Sequence, residues 1–182
     1  MARYGLILVC LAFGSGCATA SKTAAPEKTA ASPAADAPPS GRKLFAVTPP
    51  DPSWKVMPGA KFEGAPPAML ALVCEEKKVI IKFDAVPRSG GSPSMLALNA
   101  SDKLAGNGVS VSNVDYSDPT GDRAYFTLAF SEDGNETRGK VAVFRLRGED
   151  EVTFVAAGLW PSSVDEEMAR VFDAVIATAR IR

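Results

Sequence analysis

The chain contains no histidine among its 182 residues, and this absence restricts the chemistry it can perform. Histidine is the most frequent general base and metal ligand in proteins, and it commonly activates serine and cysteine nucleophiles.

An excess of one charge is also absent, since the formal net charge is −1. Five of the 20 basic and two of the 21 acidic residues precede Leu44, which leaves 15 basic and 19 acidic residues after it. This acidic balance argues against nucleic acid as a ligand.

Long hydrophobic runs are absent too, because crossing a bilayer takes about 20 apolar residues and no stretch of the sequence reaches that length. A shorter apolar segment, Leu6–Phe13, follows Arg3 and precedes Gly14-Ser15-Gly16-Cys17. A basic residue, an apolar stretch and small residues in this order are typical of a signal peptide. The segment resembles the signal peptide of a bacterial lipoprotein, in which the cysteine after the cleavage site receives a diacylglyceryl group. The resemblance implies a signal peptide at residues 1–16 and lipidation of Cys17.

The resemblance also implies a location. A lipid on Cys17 would anchor the protein in the bacterial cell envelope, and Ala18 after it, where Asp would stand in an inner-membrane signal, favours the outer membrane. An ordinary secretory signal remains an alternative, with cleavage after Ala18-Thr19-Ala20. That cleavage would leave a soluble protein that begins at Ser21.

Residues 17–43 form the second segment of the chain. From Ala18 to Lys43 it consists mostly of Ala, Pro, Ser, Thr and Lys and has no aromatic or β-branched aliphatic residue. Such a composition cannot bury enough apolar surface to offset the entropy of the chain, so it predicts a disordered tether. The remaining residues, 44–182, are sufficient for a single domain with its own core.

Cysteine is scarce in this domain. Cys10 lies in the leader and Cys17 is the expected lipid site, so Cys74 is the one thiol after Leu44 and no internal disulfide can form. Cys74 ends the apolar run Met69–Cys74, where a free cysteine commonly behaves as a small buried hydrophobe. A reactive thiol is the alternative, but the chain has no histidine to lower its pKa.

Alternation and turn residues predict a short strand at Trp54–Val56 and a hairpin of Met69–Cys74 and Lys77–Val86 joined at Glu75-Glu76. Helices are predicted from Pro93, with Ser92 as its N-cap, to Gly106 or Gly108, and at the C-terminal end with Ser163 as its cap and Glu166 at N3. Four consecutive strands are predicted between the helices, at Val109–Tyr116, Arg123–Ser131, Gly139–Arg147 and Glu151–Trp160.

The connections between these strands are short, which predicts antiparallel pairing. Both alternating sets of side chains in Val152–Trp160 are apolar, which predicts a sheet buried on both faces. The fold class is therefore α+β, an antiparallel sheet with helices on both faces. The order of elements, together with Phe45, Pro52-Ser53-Trp54, Ser92–Leu104 and Leu159-Trp160-Pro161, resembles the PsbP-like (DcrB-like) α/β/α sandwich. That resemblance implies a fold used mainly for binding and scaffolding, with no catalytic motif to transfer.

Candidate sites are few. Glu75-Glu76 lies at a predicted turn and Asp165-Glu166-Glu167 in the first turn of a predicted helix, where acidic residues favour the helix dipole. Asp118–Asp122 lacks the ligand spacing of a calcium-binding loop, and Ser89–Pro93 lacks the Lys and Ser/Thr of a phosphate-binding loop. Four basic residues of one predicted strand region are expected on a solvated face, with an anionic partner surface as the alternative: Arg138, Lys140, Arg145 and Arg147. No catalytic, cofactor-binding or metal-binding residue is predicted.

Three classes of function remain open. The favoured one is a membrane-tethered, non-catalytic lipoprotein that serves as a binding or accessory module of an envelope assembly, with the membrane and an envelope protein as partners. The second is a periplasmic carrier of a small ligand, which would need a concave apolar pocket. The third is an enzyme that uses carboxylates alone, which would need two acids in one cleft with different pKa values.

Overall fold

A computed structural model describes residues 45–61, 68–88, 91–116, 118, 120–132, 134–149 and 151–181. The predicted signal peptide at 1–16, Cys17 and the tether at 17–43 lie outside these residues. The described chain is α+β, as predicted, with two helices and two antiparallel sheets. The helices are α1 (Pro93–Gly106) and α2 (Asp165–Ala177), the latter preceded by a 3-10 turn at Ser162–Val164. The strands are β1 (Phe45–Ala46), β2 (Lys55–Pro58), β3 (Leu70–Cys74), β4 (Val79–Pro87), β5 (Ser110–Asp115), β6 (Arg123–Glu132), β7 (Asn135–Phe144), β8 (Val152–Pro161) and β9 (Arg180–Ile181).

The larger sheet has seven strands in the order β2-β3-β4-β8-β7-β6-β5, and every neighbouring pair is antiparallel. Short connections explain the antiparallel pairs β3–β4, β5–β6, β6–β7 and β7–β8, as the sequence predicts, whereas β4 and β8 pair although a helix and three strands separate them in the chain. The β6–β7 hairpin closes at the pair Glu132 and Asn135, and Gly134 has a φ of 78°, which glycine adopts without strain. This order of strands and helices is the order that the sequence predicts, with the short strands β1 and β9 added.

Alternating side chains of β7 and β8 belong to two different hydrophobic clusters. Val141 and Val155 pack in the cluster that contains Leu96 and Leu104 of α1. Ala142 and Phe154 pack in the cluster that contains the buried residues of α2. Because successive side chains of a strand point to opposite faces, the two helices contact opposite sides of these central strands.

The two helices begin differently. Ser92 caps α1 as predicted, since its side chain accepts a hydrogen bond from the backbone N–H of Met95 at 3.2 Å and Pro93 occupies the first helical position. The prediction for α2 is wrong, because Ser163 lies inside the 3-10 turn and the N-cap residue, Val164, makes no side-chain cap bond. Asp165 instead accepts a hydrogen bond from the indole N–H of Trp160 at 2.8 Å, which ties the start of α2 to β8.

Several boundaries differ from the predictions. β4 begins at Val79 because residues 75–78 form the turn, in which Lys78 has a φ of 55°. β7 begins at Asn135 and ends at Phe144, so Arg145 and Arg147 lie beyond the strand. The short strands β1 and β9 are absent from the predictions, since two-residue strands carry no periodic pattern.

Candidate functional site

Four arginines surround a cleft of about 580 Å³ at one end of the larger sheet. Arg123 is the first residue of β6 and pairs in register with Phe144, the last residue of β7. Arg145 and Arg147 follow directly in the chain, and the backbone N–H of Arg145 donates to the Asp122 carbonyl oxygen at 2.9 Å. Strand register therefore brings these arginines together. We call this feature the arginine cleft; its lining residues are Asp118, Thr120, Asp122, Arg123, Arg145, Leu146, Arg147, Ala179, Arg180 and Ile181.

Within the described part of the chain, no carboxylate lies within ion-pair distance of the four cleft arginines. Six other cations of the described residues are paired, and one of them is the Lys140 ammonium, which lies 2.6 Å from Asp173. The remaining pairs are Lys55 with Glu75, Lys77 with Glu167, Lys82 with Asp84, Arg138 with Glu136 and Arg170 with Glu166. The cleft lining thus holds four arginines and two aspartates, and its net positive charge attracts anions.

Arg145 is the least exposed of these arginines. Its Nη2 donates a hydrogen bond to the carbonyl oxygen of Gly91 at 3.3 Å, which holds the guanidinium near the start of α1. Its Nε is buried and has no hydrogen-bond partner among the described residues. A buried donor without a partner is destabilising and marks a position where an external acceptor would be favourable.

Arg180 joins the cleft from the smaller sheet. It lies in β9, where it pairs with Ala46 of β1, and its Nη1 donates to the carbonyl oxygen of Thr178 at 3.2 Å. The cleft therefore adjoins the two-stranded sheet in which the described part of the chain begins. This position matters because the sequence before Phe45 contains the predicted tether.

The two acidic residues that line the cleft, Asp118 and Asp122, lie in the turn region between β5 and β6. Asp118 accepts hydrogen bonds from the backbone N–H and the hydroxyl of Thr120, at 3.1 and 2.9 Å. These bonds, above all the one from the backbone N–H, hold the pKa of Asp118 below its usual value, and the charge of Arg123 adds to the effect. The carboxylate of Asp118 thus makes its hydrogen bonds within its own turn.

Three of the predicted carboxylates, Asp165, Glu166 and Glu167, line one open depression of about 400 Å³ at the start of α2. Glu75 pairs with Lys55 at the β3–β4 turn. In the first turn of α2, Asp165 accepts from Trp160, Glu166 pairs with Arg170 and Glu167 pairs with Lys77. The side chain of Glu167 raises the pKa of Lys77 by accepting its hydrogen bond. Each acidic side chain that makes one of these contacts has a structural partner.

The predicted basic strand region divides into two places. Arg138 and Lys140 lie on β7, where Glu136 and Asp173 neutralise them and the Lys140 ammonium lies 5.2 Å from the centre of the Tyr125 ring. Arg145 and Arg147 instead line the arginine cleft. Sequence spacing alone placed all four on one strand, and the early end of β7 separates them.

Cys74 is a buried free thiol that packs with the α2 cluster, in agreement with its interpretation as a small hydrophobe. Lys82 is also buried, with 2% of its surface exposed, and no pattern in the sequence predicts this. Its Nζ lies 2.9 Å from Oδ2 of Asp84, although the contact lacks hydrogen-bond geometry.

Among the described residues, no group of three or more Cys, Asp or Glu side chains is arranged to hold a metal ion. No described helix has the length and apolar character needed to cross a membrane.

A second concavity lies beside α2. It has a volume of about 160 Å³ and is lined by Ser112, Asn113, Thr127, Leu128, Ala129, Arg138, Gly139, Lys140, Trp160, Asp165 and Ala169. Pockets for small ligands are typically about 300–1,000 Å³ and mostly apolar. This smaller space, with many polar residues in its lining, does not resemble a carrier pocket.

No protein-family model matches the sequence, and no curated protein matches it. The structure is similar to that of LpqN, which is involved in cell envelope biogenesis of Mycobacterium tuberculosis. The two align with a TM-score of 0.52 at 9% identity, over 79% of this chain and 87% of LpqN. Cyanobacterial PsbP (CyanoP) from Synechocystis aligns with a TM-score of 0.49 at 13% identity, over 81% of this chain and 98% of that chain. The similarity to LpqN is one of fold, and it agrees with the predicted α+β architecture.

Proposed function

We propose that this protein is a membrane-tethered, non-catalytic binding module of the bacterial cell envelope, and that it holds an anionic group of its partner in the arginine cleft. The observation that carries the proposal is the set of four arginines around one cleft without a described carboxylate partner. Charge-assisted hydrogen bonds from guanidinium groups are the strong, directional contacts that bind carboxylates and phosphates.

The expected anchor supports this proposal. Lipidation of Cys17 would confine the domain to the membrane surface, and the segment up to Lys43 would act as its tether. A tethered domain meets its partner at a high effective concentration, so a modest intrinsic affinity is sufficient. LpqN, which has a similar fold, is involved in cell envelope biogenesis, and this association favours an envelope role here.

A second surface of the domain, which carries exposed apolar side chains, is available to an envelope protein. Met95 and Leu98 of α1 lie one helical turn apart and are 58% and 48% exposed. Val114 and Tyr116, in and just after β5, are also exposed. Exposed apolar side chains on an ordered element favour contact with another protein more than they favour catalysis.

Crosslinking in cells tests the proposal. Membranes from cells that express the full-length protein would be crosslinked, the protein purified, and its bound components identified. The variant Arg123→Gln/Arg147→Gln removes two cleft charges, and Arg138→Gln/Arg170→Gln is the matched control because it removes the same charge from ion-paired sites. Capture of a specific envelope component should fall in the first variant and persist in the second.

The opposite result would contradict the proposal. Equal capture by the cleft variant and the wild type would show that the arginine cleft does not hold the partner. Turnover of an ester, glycoside, phosphoester or peptide that is abolished by replacement of Glu75, Glu76, Asp165, Glu166 or Cys74 would contradict the non-catalytic assignment.

A further inference from the structure

We propose that the arginine cleft binds the phosphate groups of anionic phospholipids in the same membrane that carries the Cys17 anchor, so that the domain docks on the bilayer with the cleft facing it. This inference rests on the proposed function and names the partner of its site. Three features of the described residues support it: the position of the cleft, its charge and the type of cation it contains.

The position of the cleft follows from β1 and β9. Phe45 pairs with Ile181 and Ala46 with Arg180, and both Arg180 and Ile181 line the cleft. Phe45, the first described residue, therefore pairs with a residue of the cleft lining. When the domain is anchored to a membrane through its N-terminal end, the cleft lies closer to the bilayer than the β3–β4 turn does. That turn is at the opposite end of the sheet.

The charge of the cleft fits an anionic surface. Its lining holds four arginines and two aspartates, within a domain whose overall balance is acidic. Arg42 and Lys43 stand in the sequence immediately before the domain. A basic region next to a lipid anchor is the usual second signal by which a protein holds to anionic lipid.

The type of cation favours phosphate. Arginine is the basic residue type in the cleft lining, whereas lysine is not among those lining residues. A guanidinium donates two parallel hydrogen bonds to a phosphate, while an ammonium acts as a point charge.

Resonance energy transfer from a donor dye on the domain to an acceptor dye in the bilayer tests this orientation. The mature protein, with its native anchor, would be reconstituted in vesicles of phosphatidylcholine alone or of phosphatidylcholine mixed with phosphatidylglycerol, with an acceptor dye in the bilayer. A donor dye would be attached to a cysteine introduced by Glu151→Cys at the cleft end or by Glu76→Cys at the opposite end. Both positions are exposed glutamates, and Cys74 is buried and does not compete for the label.

Docking through the cleft predicts that energy transfer depends on the label position, the lipid composition and the salt concentration. Transfer from position 151 should exceed transfer from position 76 when phosphatidylglycerol is present, and the excess should fall with added salt. Arg123→Gln/Arg147→Gln should lower the ratio of docked to free domain roughly 30-fold, the effect expected for two arginines near an anionic surface. Arg138→Gln/Arg170→Gln should leave the ratio unchanged. Equal transfer from both positions, or equal effects of the two double variants, would overturn the inference.

The outcome separates this inference from the proposed function. If cleft substitutions reduce capture of an envelope protein in cells while the vesicles show no docking, the ligand is a protein and the lipid inference is wrong. If the cleft substitutions change neither result, the cleft is not a binding site and both proposals are wrong.

Discussion

At the scale of single residues, the Lys82–Asp84 pair is the least expected feature of the domain. Lys82 lies between Ala71 and Ala157 in the sheet register, two small residues that leave room for its long side chain. Its ammonium is buried, and Asp84, which lies on the same face two residues later, supplies the compensating charge. A buried ion pair of this kind stabilises little by itself, but loss of one partner leaves an uncompensated charge.

Substitutions at this pair should therefore have unequal effects. Asp84→Ala should lower the free energy of unfolding by about 3 kcal/mol, because it leaves the buried Lys82 ammonium without its counter-ion. Lys82→Met keeps the length of the side chain and leaves only the charge of Asp84, whose side chain is 26% exposed to solvent, so it should lower stability less than Asp84→Ala does. Urea unfolding of both variants measures the difference. Equal losses would show that the pair acts through packing alone.

The Asp118 turn gives a prediction about pH. The folded pKa of Asp118 lies below its usual value of 3.8, chiefly because the Thr120 backbone N–H donates to the carboxylate. A lowered folded pKa contributes stability above the usual value, and this stability is lost as the pH falls through the folded pKa. The wild type should therefore lose more stability than Asp118→Asn on acidification. Urea melts at neutral and acidic pH measure this, with Asp122→Asn as the control; identical pH profiles for wild type and Asp118→Asn would contradict it.

Residues of the arginine cleft show why sequence reasoning found the site only in part. Arg145 and Arg147 were recognised as basic residues of one region, with an anionic partner as the alternative. Arg123 and Arg180 lie far from them in sequence and carry no motif. Only the β6–β7 register and the β1–β9 pairing bring these side chains to one place, and a pattern within a single segment does not contain that information.

At the scale of elements, the two helix starts show what local sequence can and cannot predict. Ser-Pro at the start of α1 is a local signal, and the structure follows it. Ser163 carries a similar signal before α2, but contact between Trp160 and Asp165 accompanies a 3-10 turn that displaces the helix start. A hydrogen bond between residues five apart in the chain thus forms where the sequence predicts the Ser163 cap.

This contrast is testable with two matched substitutions. Ser92→Ala removes the hydrogen bond to the Met95 backbone N–H and should lower the free energy of unfolding by about 1 kcal/mol. Ser163→Ala removes no cap bond and should change it by less than about 0.5 kcal/mol. Urea melts of the two variants compare them directly. A larger loss at Ser163 would mean that the capping assignment of α2 is wrong.

The buried stripe of α2 is largely as the helical spacing predicts. Met168, Phe172, Val175 and Ile176 are buried, whereas Val171 is only partly buried. The ring of Phe172 contacts that of Trp160, with centroids 6.2 Å apart. The neighbouring strand leaves space for this contact at Gly158, where an added Cβ would lie 2.7 Å from Cδ2 of Phe172.

Truncation of Phe172 should therefore be costly. Phe172→Ala should lower the free energy of unfolding by about 3–5 kcal/mol, because it leaves a cavity between α2 and β8. Val171→Ala is the control on the same helix and should have a smaller effect because Val171 is partly exposed. Denaturant melts give both values. A loss below about 1 kcal/mol for Phe172→Ala would mean that α2 packs loosely.

At the scale of the whole molecule, the expected lipid anchor gives the arginine cleft its context. Cys17→Ser should block maturation or release the protein from membranes, because it removes the side chain expected to receive the lipid. Fractionation and mass spectrometry of the mature N-terminus measure this. A mature N-terminus at Ser21 without lipid would contradict the lipoprotein prediction, and the domain would then act without a tether.

Site-specific photo-crosslinking in cells tests the central claim of a tethered domain that binds through its arginine cleft. A photoreactive residue would replace Glu151 at the cleft end or Glu76 at the opposite end, in the full-length protein with and without Cys17→Ser. Capture of envelope components should concentrate at position 151, require Cys17 and fall with Arg123→Gln/Arg147→Gln. Equal capture from positions 151 and 76, unaffected by the cleft substitutions, would contradict the claim.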